Sequence, residues 1–395
     1  MLRHSSIILC ACAWALAAHA QAPCDSTKVG TLGLDVDALA FFKDNEFDGD
    51  VVKGYSLPGF RLQPRLTYTP LREVHLEAGF HATVFDGAGK YPAYVFHDIA
   101  HWKGDQYTSG AHVLPFFRAE ARLGQDRPGQ TTVVLGDIYG ATAHGIAQPL
   151  YNPELTLTDD PEAGVQVLVS RKRWTSDVWL NWQSYIYEED THQEAFTVGW
   201  TQRTLLPHGF SIPVQVLVQH RGGEQDLPEL SLGVQTIANG AVGVGYEWRP
   251  SVSRPRGLRG VECEALALAA YQQSGHLWPF DVGAAFWTSA AVDWNFGLRV
   301  KAGLFHAPKD FCSLYGSPFF GTLSVKHPGE RYDGMTTGYW GVEYSRTFSA
   351  GGRWTSGAYT LGAKVDGYIN RSRAPFSFGV YLRACPSFVL KRWAR

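Results

Sequence analysis

Charged side chains recur two or four positions apart in several segments of this chain. Arg61 and Arg65 form one set. Glu73, His75, Glu77 and His81 form the next, and Arg118, Glu120 and Arg122 a third. Arg299 with Lys301, and Lys364 with Asp366, form two more. Period two is the repeat of an extended strand, so the members of each set share one face. Such faces can do three kinds of chemistry. They can line a water-filled pore and set its preference for ions. They can pair across an enclosed interior, where a charge needs a partner. With His75 and His81 beside Glu73 and Glu77, they could also hold a metal. Side chains two apart on a strand lie about 6–7 Å from each other, so a metal would need ligands from adjacent strands as well. The histidines therefore read as polar filling, no cofactor or metal is expected, and all these positions except His81 read as pore-lining.

The elements that would carry these faces are strands. In 73–84, Val74, Leu76, Ala78, Phe80, Ala82 and Val84 alternate with the polar set. In 60–68, Phe60, Leu62, Leu66 and Tyr68 stand opposite Arg61, Gln63, Arg65 and Thr67. Segments 117–123, 298–304, 360–366 and 376–383 repeat the pattern, as do 163–173, 177–187, 194–202, 210–221, 229–248, 258–272 and 337–346. Turn signals such as Asp86-Gly87, Gly222-Gly223 and Gly351-Gly352 separate them. Three longer gaps, 140–162, 221–229 and 306–335, read as large surface loops. The count comes to about sixteen to eighteen strands.

Alternation does not say which face meets the core. A soluble sandwich turns apolar faces inward, whereas a membrane barrel turns them to lipid and keeps the polar faces for its lumen. Three features favour the barrel. Aromatics gather near segment ends, as in Trp174, Trp179, Trp182, Tyr185 and Tyr187, or Tyr339, Trp340 and Tyr344, which suits interfacial girdles. The polar faces carry both signs of charge, and the last strand runs almost to the end of the chain. Composition agrees: charged residues make up 18% of the 395 positions, against about 25% in soluble domains. A net charge of −2 removes the electrostatic case for a nucleic-acid partner. The expected fold is all-β, a single transmembrane antiparallel barrel over 21–395 with long surface loops.

Residues 1–20 read as a cleaved signal peptide. Arg3 and His4 precede an apolar run from Ile7 to Ala18, and Ala18-His19-Ala20 is an A-x-A cleavage site. Export implies an oxidising compartment, in which Cys24, Cys263, Cys312 and Cys385 could pair in three ways. None of them forms a C-x-x-C pair, so metal-ligand spacing is absent.

The stretches Gly136-Asp137-Ile138-Tyr139-Gly140, Pro149-Leu150-Tyr151-Asn152-Pro153-Glu154 and Leu168-Val169 through Trp174 and Trp182 resemble an uncharacterised porin-like family of Gram-negative outer-membrane barrels from the Bacteroides lineage. Trp393 stands near the position where such barrels carry an aromatic read by the outer-membrane assembly machinery. The resemblance implies an outer-membrane location, contact with outer-membrane lipid and lipopolysaccharide, and passive diffusion of small polar solutes. The loop at 140–162 is the expected constriction, since Asp159, Asp160 and Glu162 could meet the arginines. Two alternatives stand beside this reading, an enzyme acting on outer-membrane lipid and a plugged, surface-binding barrel. His144, in that same loop, invites comparison with the Ser-His pair of barrel hydrolases. No serine lies beside it and no G-x-S-x-G elbow occurs, so no catalytic residue is assigned and the chain is expected not to be an enzyme.

Overall fold

A computed structural model describes residues 29–85, 110–124, 129–185, 194–222, 234–252, 254–275, 277–327, 329–352, 354–371 and 373–393. The expected signal peptide at 1–20, Cys24 and most of the 221–229 gap lie outside the described residues.

Sixteen antiparallel strands close into one barrel, each paired with the next in sequence and β16 paired back onto β1. The first half comprises β1 (Thr31–Glu46), β2 (Tyr55–Leu71), β3 (Val74–Phe85), β4 (Gly110–Leu123), β5 (Gln130–Asp137), β6 (Ala163–Arg171), β7 (Trp174–Ser184) and β8 (Glu194–Leu205). The second half comprises β9 (Phe210–Gly222), β10 (Gln235–Trp248), β11 (Leu258–Ser274), β12 (Val282–Trp294), β13 (Leu298–Ala307), β14 (Met335–Gly351), β15 (Thr355–Asn370) and β16 (Phe376–Arg392). Closure runs in register from Thr31 opposite Arg392 to Glu46 opposite Phe376. It removes the unpaired edge that an open sheet of this size would present.

The faces are sorted as a barrel in lipid requires. On β3, Glu77, His81 and Thr83 are buried in the interior while Phe80 and Val84 are exposed. On β12, Trp287, Ala291 and Asp293 are buried while Val282 and Phe286 are 67% and 57% exposed to the outside. Water would penalise this outer apolar surface, whereas hydrocarbon solvates it. Tyr68 and Trp393 meet outside at the end where β1 starts and β16 finishes, their ring centres 5.6 Å apart. Trp179 and Tyr339 depart from the expected girdles. They are 2% and 5% exposed and point into the barrel, because the period-two pattern places them on the inward face of β7 and β14.

Connections differ at the two ends. One end has turns as short as Arg72-Glu73 and Lys172-Arg173. The opposite end carries the long connections, among them 138–162 between β5 and β6 and 308–334 between β13 and β14. In outer-membrane barrels the short turns face the periplasm and the long loops the cell exterior. Both of these long loops turn back into the barrel and build an apolar core there. Leu150, Phe311, Leu314 and Phe320 are at most 2% exposed, packed with Trp287, Phe305, Tyr339 and Tyr368 of the wall.

Candidate functional site

The 138–162 loop crosses the lumen from one wall to the other. It leaves β5 through a hydrogen bond from Ile138 N to Glu162 O, 2.8 Å, and makes a single 3-10 turn at Ala141–His144. Beyond that turn it is tied to the β8–β9 wall. Thr201 Oγ1 donates to His144 O at 2.8 Å, and Ala147 N donates to Gln215 Oε1 at 2.9 Å. Its far end reaches β1 and β2 through a one-turn helix, α1 (Leu155–Thr158). There the buried Glu154 carboxylate accepts from Lys43, from Tyr55 and from Asn45 Nδ2 at 3.3 Å, while Arg61 Nη1 donates to Thr156 O at 2.7 Å.

The 308–334 loop enters from the other side and meets the first. Asn239 on β10 holds it by donating to Cys312 O at 2.9 Å and accepting from Leu314 N at 3.3 Å. The Tyr315 hydroxyl sits 2.6 Å from Thr197 Oγ1 and 3.0 Å from Gln183 Nε2. The two loops join where Asn152 N donates to Tyr315 O at 2.7 Å and Ser313 Oγ donates to Leu150 O at 3.1 Å. Tyr151 and Tyr315 stack there with ring centres 6.0 Å apart. Backbone groups removed from water need partners, and these are supplied by wall side chains. That is why Gln183, Gln215 and Asn239 stand on the inward faces of β7, β9 and β10.

His144 is the most constrained group in this plug. Its side chain is 1% exposed. Nδ1 lies 2.7 Å from Asp177 Oδ2 on β7 and Nε2 lies 3.2 Å from Glu162 Oε2. The ring stacks on Trp179 at 3.5 Å with planes 9° apart. Trp179 lies flat because Gly199, its neighbour on β8, has no side chain: a Cβ there would come within 2.0 Å of the indole. Burial opposes the imidazolium, but the Glu162 charge, with hydrogen bonds to Asp177 and Glu162, outweighs it and raises the pKa to about 9. For Glu162, burial pushes the pKa upward, and the cationic His144 with the Ala141 N–H brings it below the usual carboxylate value. His144 is thus a cationic clamp with both ring nitrogens engaged, and it offers no free nitrogen to a nucleophile. A cavity of about 20 Å3 beside it, lined by Tyr151, Asp159, Glu162 and Tyr315, has room for one water.

The charged strand positions fall into two groups rather than one continuous ladder. On the β2–β5 side, Glu77 binds Arg65 and Arg118, each at 3.3 Å, and His75 Nε2 at 3.4 Å. Arg118 also donates to Asp137 O and Ile138 O and lies 4.0 Å over the Tyr139 ring. Glu120 pairs with Arg122 at 2.9 Å, and Arg61 lies 3.8 Å from Asp37, which Arg383 binds at 2.8 Å. Across the barrel, Arg299 binds Asp293 at 2.6 Å and Glu262 at 2.9 Å, and Lys364 binds Asp366 at 2.8 Å. Lys301 stands over the rings of Trp287 and Tyr339 at 5.7 and 5.9 Å. Glu73 departs from the expected placement. It is exposed in the β2–β3 turn, where the strand ends, so it does not reach the lumen.

Loop 140–162 does meet the arginines, but through the Thr156 carbonyl. Of the carboxylates expected at the constriction, Asp160 lies 3.3 Å from His112 Nε2 and Glu162 is held on His144. Sequence reading missed Asp177 and Trp179 as partners of His144. No spacing signal could have found them, because only the folded-in loop brings residues 33 apart together. Among the described cysteines, Cys263 is exposed on the outer face, while Cys312 lies in the plug and Cys385 on the inner wall beside Asp37; all three are free. Among the described residues no group of three or more His, Cys, Asp or Glu side chains is arranged to hold a metal ion.

Fold and site together define a porin-like β-barrel of sixteen strands whose 138–162 and 308–334 loops fold into its lumen. The chain belongs to the lipid A 3'-O-deacylase-type family, whose model matches residues 24–393. Among solved structures it is similar to Salmonella typhi OmpF in complex with daunomycin, at 12% identity and a TM-score of 0.51, covering 90% of this chain and 98% of that one. It is also similar to Pseudomonas aeruginosa OprD, at 8% identity and a TM-score of 0.48 over 91% and 95% of the two chains. Acinetobacter baumannii OccAB4 aligns at 9% identity and 0.47 over 92% and 100%. No curated protein matches the chain.

Proposed function

We propose that this protein is a constricted diffusion channel for small polar solutes in the outer membrane. In this reading a signal peptide at 1–20 exports the chain, the assembly machinery inserts it, and lipopolysaccharide covers its outer rim. The observation that carries the reading is the pair of inward loops joined at Asn152 and Tyr315 above a wall whose charges stay wetted. Arg299, Glu262 and Lys364 keep about a third of their side-chain surface exposed inside the barrel, at 34%, 33% and 35%. Both signs line the wall, so the expected channel discriminates weakly between anions and cations. The test is conductance of the purified, folded protein in a planar bilayer. Small steps with a reversal potential near zero across a salt gradient are expected. A flat trace, also after deletion of 311–331, would assign the barrel to the plugged, non-conducting class.

A second reading, hydrolysis of an ester in lipid A, is favoured by the family membership together with one outward-facing pair. His306 Nδ1 lies 2.9 Å from Thr336 Oγ1, both exposed at the long-loop ends of β13 and β14. The clamped His144 is not suited to that chemistry. Incubation with lipid A, with released fatty acid read by mass spectrometry in the parent chain and in His306→Ala, decides this reading. Absence of release from the parent ends it.

A further inference from the structure

We infer that Lys301 is the centre of a binding site for small aromatic or apolar carboxylates on the lumen wall, directly beneath the plug. Among the described residues three lysines occupy inward strand positions. Lys43 is held by Glu154 and Lys364 by Asp366. Lys301 has no carboxylate oxygen within 4.0 Å among the described residues. The carboxylates around it are already engaged. Glu264 binds Arg203 at 3.4 Å, Glu262 binds Arg299, and Asp366 accepts from Lys364 and from the Tyr339 hydroxyl at 2.5 Å.

The surroundings of Lys301 are shaped as well as charged. Its neighbours across the sheet on the same inward face are Ala291 on β12 and Gly341 on β14, both too small to fill the wall at this height. Tyr339 and Trp287, one and two inward positions toward the plug, fold down over this gap. A Cβ at Gly303 would come within 2.4 Å of the Trp287 ring, and one at Gly341 within 2.6 Å of the Tyr339 hydroxyl. On their far side the same rings pack against Phe320 of the 308–334 loop, with centres 5.0 and 6.3 Å away. The result is an aromatic roof with one ammonium below it, above a wall at Arg299 and Glu262 that water reaches. Two rings hold the ammonium by cation–π attraction while leaving its donors unused by any carboxylate. A carboxylate approaching from the short-turn end would take those donors in a charge-assisted contact and lay an apolar body against the rings. A neutral or cationic analogue would gain only the second contact.

This inference deepens the channel reading by naming a solute class, and it is tested by binding so that the two can fail separately. The probe is benzoate, titrated calorimetrically into the full barrel in detergent, with benzamide and benzylamine as neutral and cationic comparisons. Millimolar binding of benzoate is expected, at least tenfold tighter than either comparison. Lys301→Gln should weaken it at least tenfold, and Lys301→Arg should keep it within about threefold, with heat-modifiable gel migration reporting that each variant is folded. Equal binding of benzoate to the parent and to folded Lys301→Gln overturns the site, as does the absence of benzoate binding to the parent. Binding that follows Lys301 in a barrel with a flat conductance trace keeps the site and rejects the channel.

Discussion

Replacing His144 by alanine removes the cation that lies between Asp177 and Glu162, and the cost can be worked from the structure. The imidazole pKa stands at about 9 against an ordinary 6.5. At about 1.4 kcal/mol per pH unit, the docked loop favours the charged ring by about 3 kcal/mol. The side chain is 1% exposed, so solvent screening takes little from that figure. Removing one partner of a buried ion pair costs about 3–5 kcal/mol in general, and loss of the stack on Trp179 adds about 1 kcal/mol. The two carboxylates would then face each other across a void. Loosening of the 138–162 loop by 3 kcal/mol corresponds to about a 100-fold rise in local opening. Hydrogen–deuterium exchange by mass spectrometry reads this directly, with peptides from β11 in the same digest as an internal standard. The pH dependence has a definite sign. A histidine whose pKa is raised by docking contributes fully below about pH 6.5, and its contribution fades as pH rises through about 9. At pH 10, after correction for base-catalysed exchange, the parent loop should therefore lose most of this protection, while keeping the Trp179 stack that the alanine variant lacks. Protection within twofold of the parent in His144→Ala at pH 7 would refute the clamp.

Three further outcomes follow from the same geometry. Gly199→Val places a side chain where the Trp179 indole lies, 2.0 Å from a Cβ; it should tilt the ring off His144 and lower the midpoint of the heat-modifiable gel shift, while an unchanged midpoint would show that the stack is dispensable. Tyr315→Phe deletes the hydroxyl shared by Thr197 and Gln183, and should cost about 1–3 kcal/mol of loop docking and raise protease cleavage within 308–334. Glu154→Gln weakens the hold on Lys43 at the opposite wall; it should speed exchange in α1 with little effect at Ala141–His144, since the loop is anchored separately at its two ends.

The strands and their lipid-facing sides were legible because they depend on local pattern. A strand presents alternate residues to alternate faces wherever it sits, so Phe80 and Val84 announce one side of β3 and Glu77 and His81 the other. Gaps such as 140–162 and 306–335 marked the long loops, because irregular backbone favours Pro, Gly, Asp and Asn. Sequence also indicated both signs of charge on the inner faces. It could not show that these charges form separate groups, since strand order around a ring decides that Arg65 and Arg118 share Glu77. The same alternation sets Trp179 with Asp177, Asn181 and Gln183 on the polar face of β7; the girdle reading overrode it, because an aromatic side chain suits an interface and a lumen equally well.

Sequence by itself determined that this chain makes amphipathic strands in number enough for a large closed sheet, with too little charge for a soluble surface. Only the tertiary structure decided what fills that sheet. His144 is an isolated histidine in the chain and a buried cation in the fold. Its carboxylates lie 18 and 33 positions away and meet it only when the loop turns inward. Lys301 shows the converse, one charge among many in the sequence and, in the structure, an inward lysine with no carboxylate within 4.0 Å among the described residues. Pairing at a distance depends on register and closure, which no local pattern encodes.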